Sequence, residues 1–325
     1  MAVREKAGLA RPDDVALGIP GRMNPPVREW RVHIGAHKTA TTHLQDTLEA
    51  IQPILVQRGL DAINHREFRR AGQRLVSLRN WRVWAGGRIL REAFRACLEP
   101  LRAGPDRVIL SEENFLGFPR SIVRAKPYQS AGLRLRALAA LNAEAPLHLF
   151  LTIRRMDAFL SSAYAQVLRS HPAKTPFNEL KPVWIAAPPR WTDIVRRIRR
   201  AAPDAPLTIW RYEDYPAHRS EILGKLCGTR IDELPEVPRP EVTMRPSATA
   251  VLAAEALDPA MPLNGWRRRV ETLYREAPVG EGSPPYAPFD EAERERFADA
   301  YEADCAALAA EGFLMRFCNA SEQRS

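Results

Sequence analysis

Short apolar runs alternate with helical stretches along most of this chain, and that alternation limits the possible folds more than any other feature. Four apolar runs have the length of buried strands, at residues 31–35, 107–110, 147–153 and 207–210. Helical stretches are predicted at about 87–103, 130–143, 157–169 and 190–201. Strands that alternate with helices of this length form a parallel sheet with helices on both faces. The sequence therefore predicts an α/β fold.

The first apolar run leads through a polar turn into a helix. Apolar residues recur at spacings of four, three and four after the turn, at Leu44, Leu48, Ile51 and Leu55. This spacing marks one face of a helix. The turn reads GAHKTATT over residues 35–42, so the segment is predicted to be a βα unit.

The turn has the chemistry of an anion-binding site. Backbone N–H groups point outward where a strand ends, and the following helix adds the positive end of its dipole. Lys38 adds a full charge, and three threonine hydroxyls add donors. A Walker A loop needs a glycine directly before its lysine, but His37 stands there. The alternative is an ordinary strand–turn–helix in which the lysine has no special role.

Two further features follow other predicted strands. Arg154 ends the longest apolar run and Ser162 lies eight residues later, so an arginine fork and a hydroxyl can bind one phosphate. Glu112 and Glu113 follow the run at 107–110, at the edge where open α/β sheets bind ligands, and either can act as a general base. The alternatives are an arginine and a serine that only pack, and acidic residues that favour a helix N-terminus.

In this order, the three features resemble the motifs of sulfotransferases that use 3′-phosphoadenosine 5′-phosphosulfate (PAPS). GAHKTATTHLQ is similar to the family's 5′-phosphosulfate loop, TIRRMDAFLSSAY to its 3′-phosphate motif, and SEEN to its catalytic acidic segment. The stretch from Trp210 to Asp214 resembles the strand and turn that follow in bacterial members. The resemblance covers residues 30–230, and it departs from the family at Ala40, where the loop usually has glycine.

The resemblance implies a P-loop NTPase-like, three-layer α/β/α fold with a central parallel sheet. It implies PAPS as the donor, 3′,5′-diphosphoadenosine (PAP) as the product, and no metal. The catalytic residues it implies are Lys38 at the bridging oxygen, Glu113 as the base and Glu112 as the other candidate for the base. The donor-binding residues it implies are Gly35, His37, Lys38, Thr39, Ala40, Thr41, Thr42, Arg154, Ser162 and Arg245.

The predicted activity is in-line transfer of a sulfuryl group to a hydroxyl of a carbohydrate, a glycolipid or a small metabolite. The alternatives are a P-loop-type kinase or NTPase, and a non-catalytic nucleotide-binding protein with the same domain. Acceptor pockets on such folds are built from loops, here predicted as insertions around 60–95, 170–190 and 232–290. Aromatic residues in or near the variable loops are candidates to stack on an acceptor: Trp81, Trp84, Tyr128, Trp184 and Trp191.

Charge and composition set further limits. The chain has 48 Lys+Arg against 39 Asp+Glu, a net charge of +9, which is typical of nucleic-acid binding. The densest basic run, at 196–200, has no aromatic residue inside it and is typical of a solvated helix face, so nucleic acid is not predicted as a partner. No apolar run approaches the roughly 20 residues that cross a bilayer, so no integral membrane association is expected.

The remaining sequence features concern location, boundaries and metal binding. The four cysteines form no CxxC pair, which favours free thiols and a cytoplasmic location. Residues 1–27 are predicted to be a flexible leader before one domain over 28–325. His33, His37 and His43 straddle a strand, a turn and a helix, so no shared metal site is predicted. The oligomeric state is left open.

Overall fold

The central element is a parallel five-stranded sheet. The computed structural model describes residues 24–72, 75, 77, 87–231, 233–238, 245–280 and 282–317. The strands of the sheet are β1 (Glu29–His33), β2 (Leu60–Ala62), β3 (Arg107–Ser111), β4 (Leu147–Ile153) and β5 (Leu207–Arg211). Their order is β2-β3-β1-β4-β5, and every neighbouring pair is parallel. The predicted α/β class with a central parallel sheet is confirmed.

Helices fill the connections between these strands and the C-terminal part of the chain. The first group is α1 (Thr41–Ala50), α2 (Gln52–Gln57), α3 (His65–Ala71), α4 (Gly87–Leu98), α5 (Ala131–Arg134), α6 (Arg136–Leu141) and α7 (Met156–Ser170). The second group is α8 (Phe177–Ala186), α9 (Trp191–Ala201), α10 (Arg219–Cys227), α11 (Ala248–Glu255), α12 (Leu263–Glu276) and α13 (Glu291–Ala310). Among the described residues, no helix is long and apolar enough to cross a membrane.

The sheet is buried on both faces. In β3, Val108 and Leu110 belong to one apolar cluster and Ile109 belongs to the other, because successive side chains of a strand point to opposite faces. The cluster around Ile109 includes side chains of α1, α2 and α10, and the larger cluster includes side chains of α3 to α9 and α11 to α13. Helices therefore cover both faces, as a three-layer α/β/α fold requires.

The sequence analysis did not predict β2 or α3. The strand has only three residues, and its central Asp61 is buried. One carboxylate oxygen of Asp61 accepts a hydrogen bond from the Ala103 N–H at 2.6 Å, and the other accepts one from Gln52 Nε2 at 3.1 Å. A charged residue in so short a run hides the apolar pattern on which strand prediction depends.

Residues 170–190, which the sequence predicts as an insertion near the acceptor, contain helix α8. Phe177, Leu180 and Trp184 of that helix are buried in the larger cluster, and Trp184 Nε1 donates to the Arg124 carbonyl at 2.8 Å. Pro176 precedes the first helical residue, where the N–H that proline lacks would have no helical partner. Proline therefore marks the start of a helix here.

The structure describes the predicted leader, residues 1–27, only from Asn24 onward. Residues 1–23 of the predicted leader lie outside the described residues, as do Trp81 and Trp84. From Asn24 the chain contacts the domain: its Nδ2 donates to the Glu99 carbonyl at 3.3 Å.

The arginine run at 196–200 lies on α9, whose buried residues are Trp191, Ile194, Val195 and Ile198, so the arginines form the outer side of that helix.

Asp304 of α13 fixes the beginning of α9. Helix α9 has no side-chain cap of its own. Asp304 is 2% exposed and accepts hydrogen bonds from the Trp191 N–H at 2.8 Å and from the Thr192 hydroxyl at 2.8 Å. Arg190 Nε lies 3.1 Å from the same carboxylate. The carboxylate thus replaces a local N-cap.

We expect Asp304→Ala to lower the free energy of unfolding by about 2–4 kcal/mol, because it leaves several donors of a buried network without an acceptor. Urea unfolding measures the change. The control is Asp299→Ala on the exposed side of the same helix, which should change stability by less than about 0.5 kcal/mol. Equal effects of the two substitutions would contradict the capping role.

Candidate active site

The three sequence features meet at one edge of the sheet. Because β1 lies between β3 and β4 and all strands are parallel, the segments after these three strands leave the sheet side by side. Backbone pairing continues past β1: the Ala36 N–H donates to the Thr152 carbonyl at 3.0 Å, and the Glu112 N–H donates to the His33 carbonyl at 2.9 Å. The turn at residues 35–40 is therefore held on both sides.

The carbonyl of Ala36 organises the turn. It accepts hydrogen bonds from the hydroxyls of Thr39 at 2.7 Å and Thr41 at 2.8 Å. Both threonines, predicted as donor-binding residues, are buried, so their hydroxyl protons shape the turn. The half-buried Thr42 lies in the first turn of α1, which has no side-chain cap. The N–H groups of that first turn have no intrahelical acceptors and suit an anion.

Three residues of the turn have a positive φ, and the first of them lies close to the acid pair. Gly35 has φ +101°, and a Cβ placed there would lie 2.7 Å from Glu113 Cβ, so glycine is required by space as well as by φ. Lys38 and Ala40 both have φ 60°, in the left-handed region that L-residues adopt at a cost. Ala40 thus has a left-handed conformation that glycine adopts without this cost.

His37 is buried beneath the turn. Its N–H donates to the Tyr128 hydroxyl at 3.2 Å, and its Nδ1 lies 2.8 Å from the same oxygen. Burial lowers the pKa of His37 to about 4, so the ring is neutral near pH 7. The backbone N–H and Nδ1 both engage Tyr128, which makes His37 a support of the turn in this structure.

The other two histidines of the N-terminal segment have separate partners. His33 lies between the hydroxyls of Ser111 at 2.9 Å and Thr152 at 3.0 Å. His43 Nδ1 lies 3.0 Å from the Tyr215 hydroxyl.

A different trio, Asp46, Glu49 and His65, brings one ligand atom each within 4.8 Å of the others. Arg66 already donates to both of these carboxylates, at 2.7 and 2.5 Å, so a guanidinium neutralises them.

Positive charges crowd around Lys38. Arg154 Nη1 donates to the Lys38 carbonyl at 2.7 Å, and its guanidinium lies 4.4 Å from the centre of the Tyr212 ring. Burial, followed by the charges of Arg169 and Arg154, lowers the pKa of Lys38 to about 8. Burial also lowers the pKa of Arg154, and Arg245 contributes in the same direction. Like charges this close to one another favour a multiply charged anion as ligand.

The predicted 3′-phosphate residues lie on this cationic side. Ser162 is half-buried on α7, the helix that also carries Arg169. Arg245 is exposed and lies close enough to affect Arg154 electrostatically. The carbonyl of Arg154 accepts a hydrogen bond from Trp191 Nε1 at 2.7 Å, which fixes the backbone from which its side chain extends.

The two glutamates have different surroundings. The Glu112 side chain is 0% exposed and accepts from Arg69 Nε at 2.7 Å, from the Asn114 N–H at 3.0 Å, and from Asn114 Nδ2. The Glu113 side chain is 14% exposed and accepts from Arg69 Nη2 at 2.7 Å and from Gln45 Nε2 at 3.3 Å. Of the two, only Glu113 retains accessible side-chain surface.

Electrostatics separates the two carboxyls further. Burial and repulsion from Glu113 raise the pKa of Glu112, against the opposing charge of Arg69. Burial alone would raise the pKa of Glu113 as well, but His37, which is charged only at acidic pH, and Arg69 outweigh it and lower that pKa. Glu113 is therefore ionised and able to accept a proton.

Several residues of the site were not predicted from the sequence. Arg69, Gln45 and Asn114 surround the glutamates, and Tyr212 lies beneath Arg154. Gln45, Asn114 and Tyr212 lie within stretches that resemble the family's motifs, but the sequence assigned them no role. Arg69 belongs to α3, whose position at this edge depends on the unpredicted strand β2.

The aromatic residues proposed for acceptor stacking are mostly internal. Tyr128, Trp184 and Trp191 are each 0% exposed. Trp184 and Trp191 donate to the backbone carbonyls of Arg124 and Arg154, and Tyr128 supports His37. The stacking prediction is wrong for these three, because bulky rings with one polar atom are as suited to anchoring loops as to binding a ligand.

No protein-family model and no curated protein matches the chain. Among solved structures, the chain is similar to mouse sulfotransferase SULT7A1 complexed with PAP, with 11% identity, 88% of this chain and 86% of that chain covered, and a TM-score of 0.38. It is also similar to a sulfotransferase from Alicyclobacillus acidocaldarius, with 13% identity, 75% and 100% coverage, and a TM-score of 0.38. Both proteins belong to the family that the sequence motifs resemble.

We expect Ala40→Gly to raise the free energy of unfolding by about 0.5–1 kcal/mol. Glycine removes the cost of the left-handed conformation, about 1–2 kcal/mol, but makes the unfolded chain more flexible by part of that amount. Urea unfolding measures the difference. Ala306→Gly, in the right-handed and exposed middle of α13, is the control and should lower stability by about 1 kcal/mol. A decrease for both variants would contradict the strain assigned to Ala40.

Proposed function

We propose that this chain is a PAPS-dependent sulfotransferase that modifies a hydroxyl group. The observation that carries the proposal is a crowded set of cations around Lys38 beside the ionised carboxylate of Glu113, at one sheet edge. The cations suit a donor with several anionic groups. The carboxylate suits an acceptor that must lose a proton.

Donor binding is assigned to the turn and to the cationic side. Lys38 and the first-turn N–H groups of α1, including that of Thr42, bind the 5′-phosphosulfate. Arg154 and Ser162 bind the 3′-phosphate, and Arg245 approaches it from the neighbouring loop. The Tyr212 ring beneath Arg154 holds the guanidinium flat by a cation–π contact.

In the proposed transfer, Glu113 accepts the proton of the acceptor hydroxyl as the hydroxyl oxygen forms a bond to sulfur. The bond between sulfur and the bridging oxygen breaks, and Lys38 neutralises the charge that develops on this oxygen. Positioning and electrostatic stabilisation supply most of such a rate enhancement. A single stabilising donor of this kind contributes on the order of 3–4 kcal/mol.

The competing kinase or NTPase activity needs a magnesium-binding hydroxyl directly after the lysine of the loop. Thr39 occupies that position, but it is 3% exposed and donates its proton to the Ala36 carbonyl. The burial of this hydroxyl favours a nucleotide that the loop binds through its backbone and Lys38. We propose a sugar, a glycolipid or a small metabolite as the acceptor, because a carboxylate base is matched to a hydroxyl group.

Calorimetry with PAP in the presence of EDTA, compared with ATP in the presence of magnesium, tests the nucleotide assignment. We expect PAP to bind without magnesium and more tightly than ATP with magnesium. Transfer of labelled sulfate from PAPS to a panel of hydroxyl acceptors then tests the activity. Magnesium-dependent binding of ATP without binding of PAP would favour the kinase alternative instead.

PAP affinity should depend on the charge of Lys38. Because its pKa in the free protein is about 8, the lysine is charged below pH 8 and loses its proton above it. PAP binding favours the charged form, so we expect Kd to rise from pH 8 to pH 9.5 by up to about tenfold per pH unit. Calorimetry across this range measures it. Lys38→Ala should bind PAP more weakly and remove this pH dependence, and an equally steep curve in the variant would contradict the assignment.

Glu113→Gln should lower kcat by about 100-fold or more, as expected for loss of a general base, while the Kd for PAP stays within about twofold. Single-turnover transfer from labelled PAPS measures the chemical step. Glu112→Gln is the matched control, since it changes the adjacent and fully buried carboxyl. A larger loss of kcat in Glu112→Gln than in Glu113→Gln would assign the base to Glu112.

A further inference from the structure

We propose that Arg69 is the positioning residue of this site, which keeps Glu113 ionised and oriented, and that Glu112 serves to hold Arg69. The catalytic role of Arg69 rests on the proposed function. The contacts that support this role are present in the free protein, so they can be tested without any substrate.

Arg69 bridges the two glutamates from a helix with a fixed beginning. Asn64 caps α3 by accepting hydrogen bonds from the N–H groups of Arg66 at 2.9 Å and Glu67 at 3.2 Å. One turn further, Arg69 Nε donates to Glu112 Oε2 and Nη2 donates to Glu113 Oε1, both at 2.7 Å. One planar guanidinium therefore sets the relative position of both carboxylates.

Both carboxylate oxygens of Glu112 accept hydrogen bonds from within the protein. Its side chain is 0% exposed, and its oxygens accept from the Arg69 guanidinium and from two nitrogens of Asn114. A carboxylate with this burial and this set of donors acts as an anchor. Glu113 accepts fewer hydrogen bonds, from Arg69 on Oε1 and from Gln45 on Oε2. Its side chain keeps the exposed surface that a base needs.

Charge explains why such a bridge is needed. Two adjacent carboxyls that share a site repel each other, and one of them then holds a proton to a much higher pH. A guanidinium placed between them removes most of this repulsion. Without Arg69 we expect the pKa of both carboxyls to rise, so that a smaller fraction of Glu113 is ionised and able to accept a proton.

The other groups around Glu113 cannot take over this role. Within the part of the chain that the structure describes, the titratable or charged groups that interact with it are Arg69 and His65 on α3, His33 on β1, His37 and Lys38 in the turn, Glu112, and Tyr128. Burial lowers the pKa of both His33 and His37 to about 4 and lowers that of His65, so the histidines are neutral near pH 7. Arg69 and Lys38 remain as cations, and Lys38 is assigned to the leaving oxygen.

The direct test is a carboxyl ¹³C NMR titration of the full chain labelled at glutamate, in which Glu113→Gln identifies the signal of Glu113. We expect Arg69→Met to raise the titration midpoint of Glu113 by about 1–3 pH units, the range caused by one opposite charge nearby. Arg69→Lys keeps the charge and should restore at least half of the difference. Arg66→Met removes a cation from the same helix that pairs with Asp46 and Glu49, and it should leave the midpoint unchanged.

The kinetic test separates positioning from simple structural support. In Arg69→Met the acid limb of kcat/KM should move to higher pH by the same amount as the NMR midpoint, with the Kd for PAP within about twofold of wild type. Adding Glu112→Gln to Arg69→Met should cost little more, because residues that act through one another are not additive.

Three results would overturn the proposal. They are an unchanged Glu113 midpoint in Arg69→Met, an equal shift in Arg66→Met, and a full additive loss in the double variant. Arg69→Gln, which keeps a donor but no charge, replaces Arg69→Met in every test if circular dichroism shows that the methionine variant does not fold. Failure of wild type to bind PAP would reject the proposed function, and the titration would still decide the role of Arg69.

Discussion

The position of β1 between β3 and β4 determines where every charged group of the candidate site lies. Since all five strands are parallel, the chain leaves these three strands at one edge, although Lys38, Glu113 and Arg154 are far apart in sequence. Backbone hydrogen bonds from Ala36 to Thr152 and from Glu112 to His33 extend the pairing beyond β1. The turn after β1 therefore cannot shift against its neighbours without breaking sheet contacts, which gives the site a rigid base.

Positively and negatively charged side chains lie at different positions along this edge. The β4 side and α7 carry cations, the β3 side carries the two carboxylates, and Lys38 in the central turn lies between them. Burial and like charge lower the pKa values of Lys38 and Arg154, so the free protein holds these cations at a cost that an anionic ligand would offset. The net charge of +9 did not reveal this arrangement, because what matters chemically is the sign of the charge at each position along the edge.

Sequence patterns predicted those parts of the fold and site that depend on residues close together in the sequence. The turn after β1, Arg154 at the end of β4 and the glutamates after β3 each follow an apolar run, and parallel topology brings such positions together. Arg69 could not be found in this way. It reaches the glutamates only because β2 pairs with β3, and β2 has three residues with a buried Asp61 at its centre. Likewise, aromatic residue type did not reveal that Tyr128 and Trp191 are internal, since burial depends on packing between distant segments.

Within the turn, the residue types expected for donor binding do not by themselves reveal what each side chain bonds to. The motif resemblance pointed to threonines and a histidine beside a lysine as donor-binding residues. The hydroxyl protons of Thr39 and Thr41, however, go to the Ala36 carbonyl, and the backbone N–H and Nδ1 of His37 both meet Tyr128. The shape of this turn thus depends on side chains whose polar atoms are bonded within the protein. The Lys38 ammonium and the first-turn N–H groups of α1 are then the donors that we propose for an anion, and the left-handed Ala40 is the N-cap of that helix.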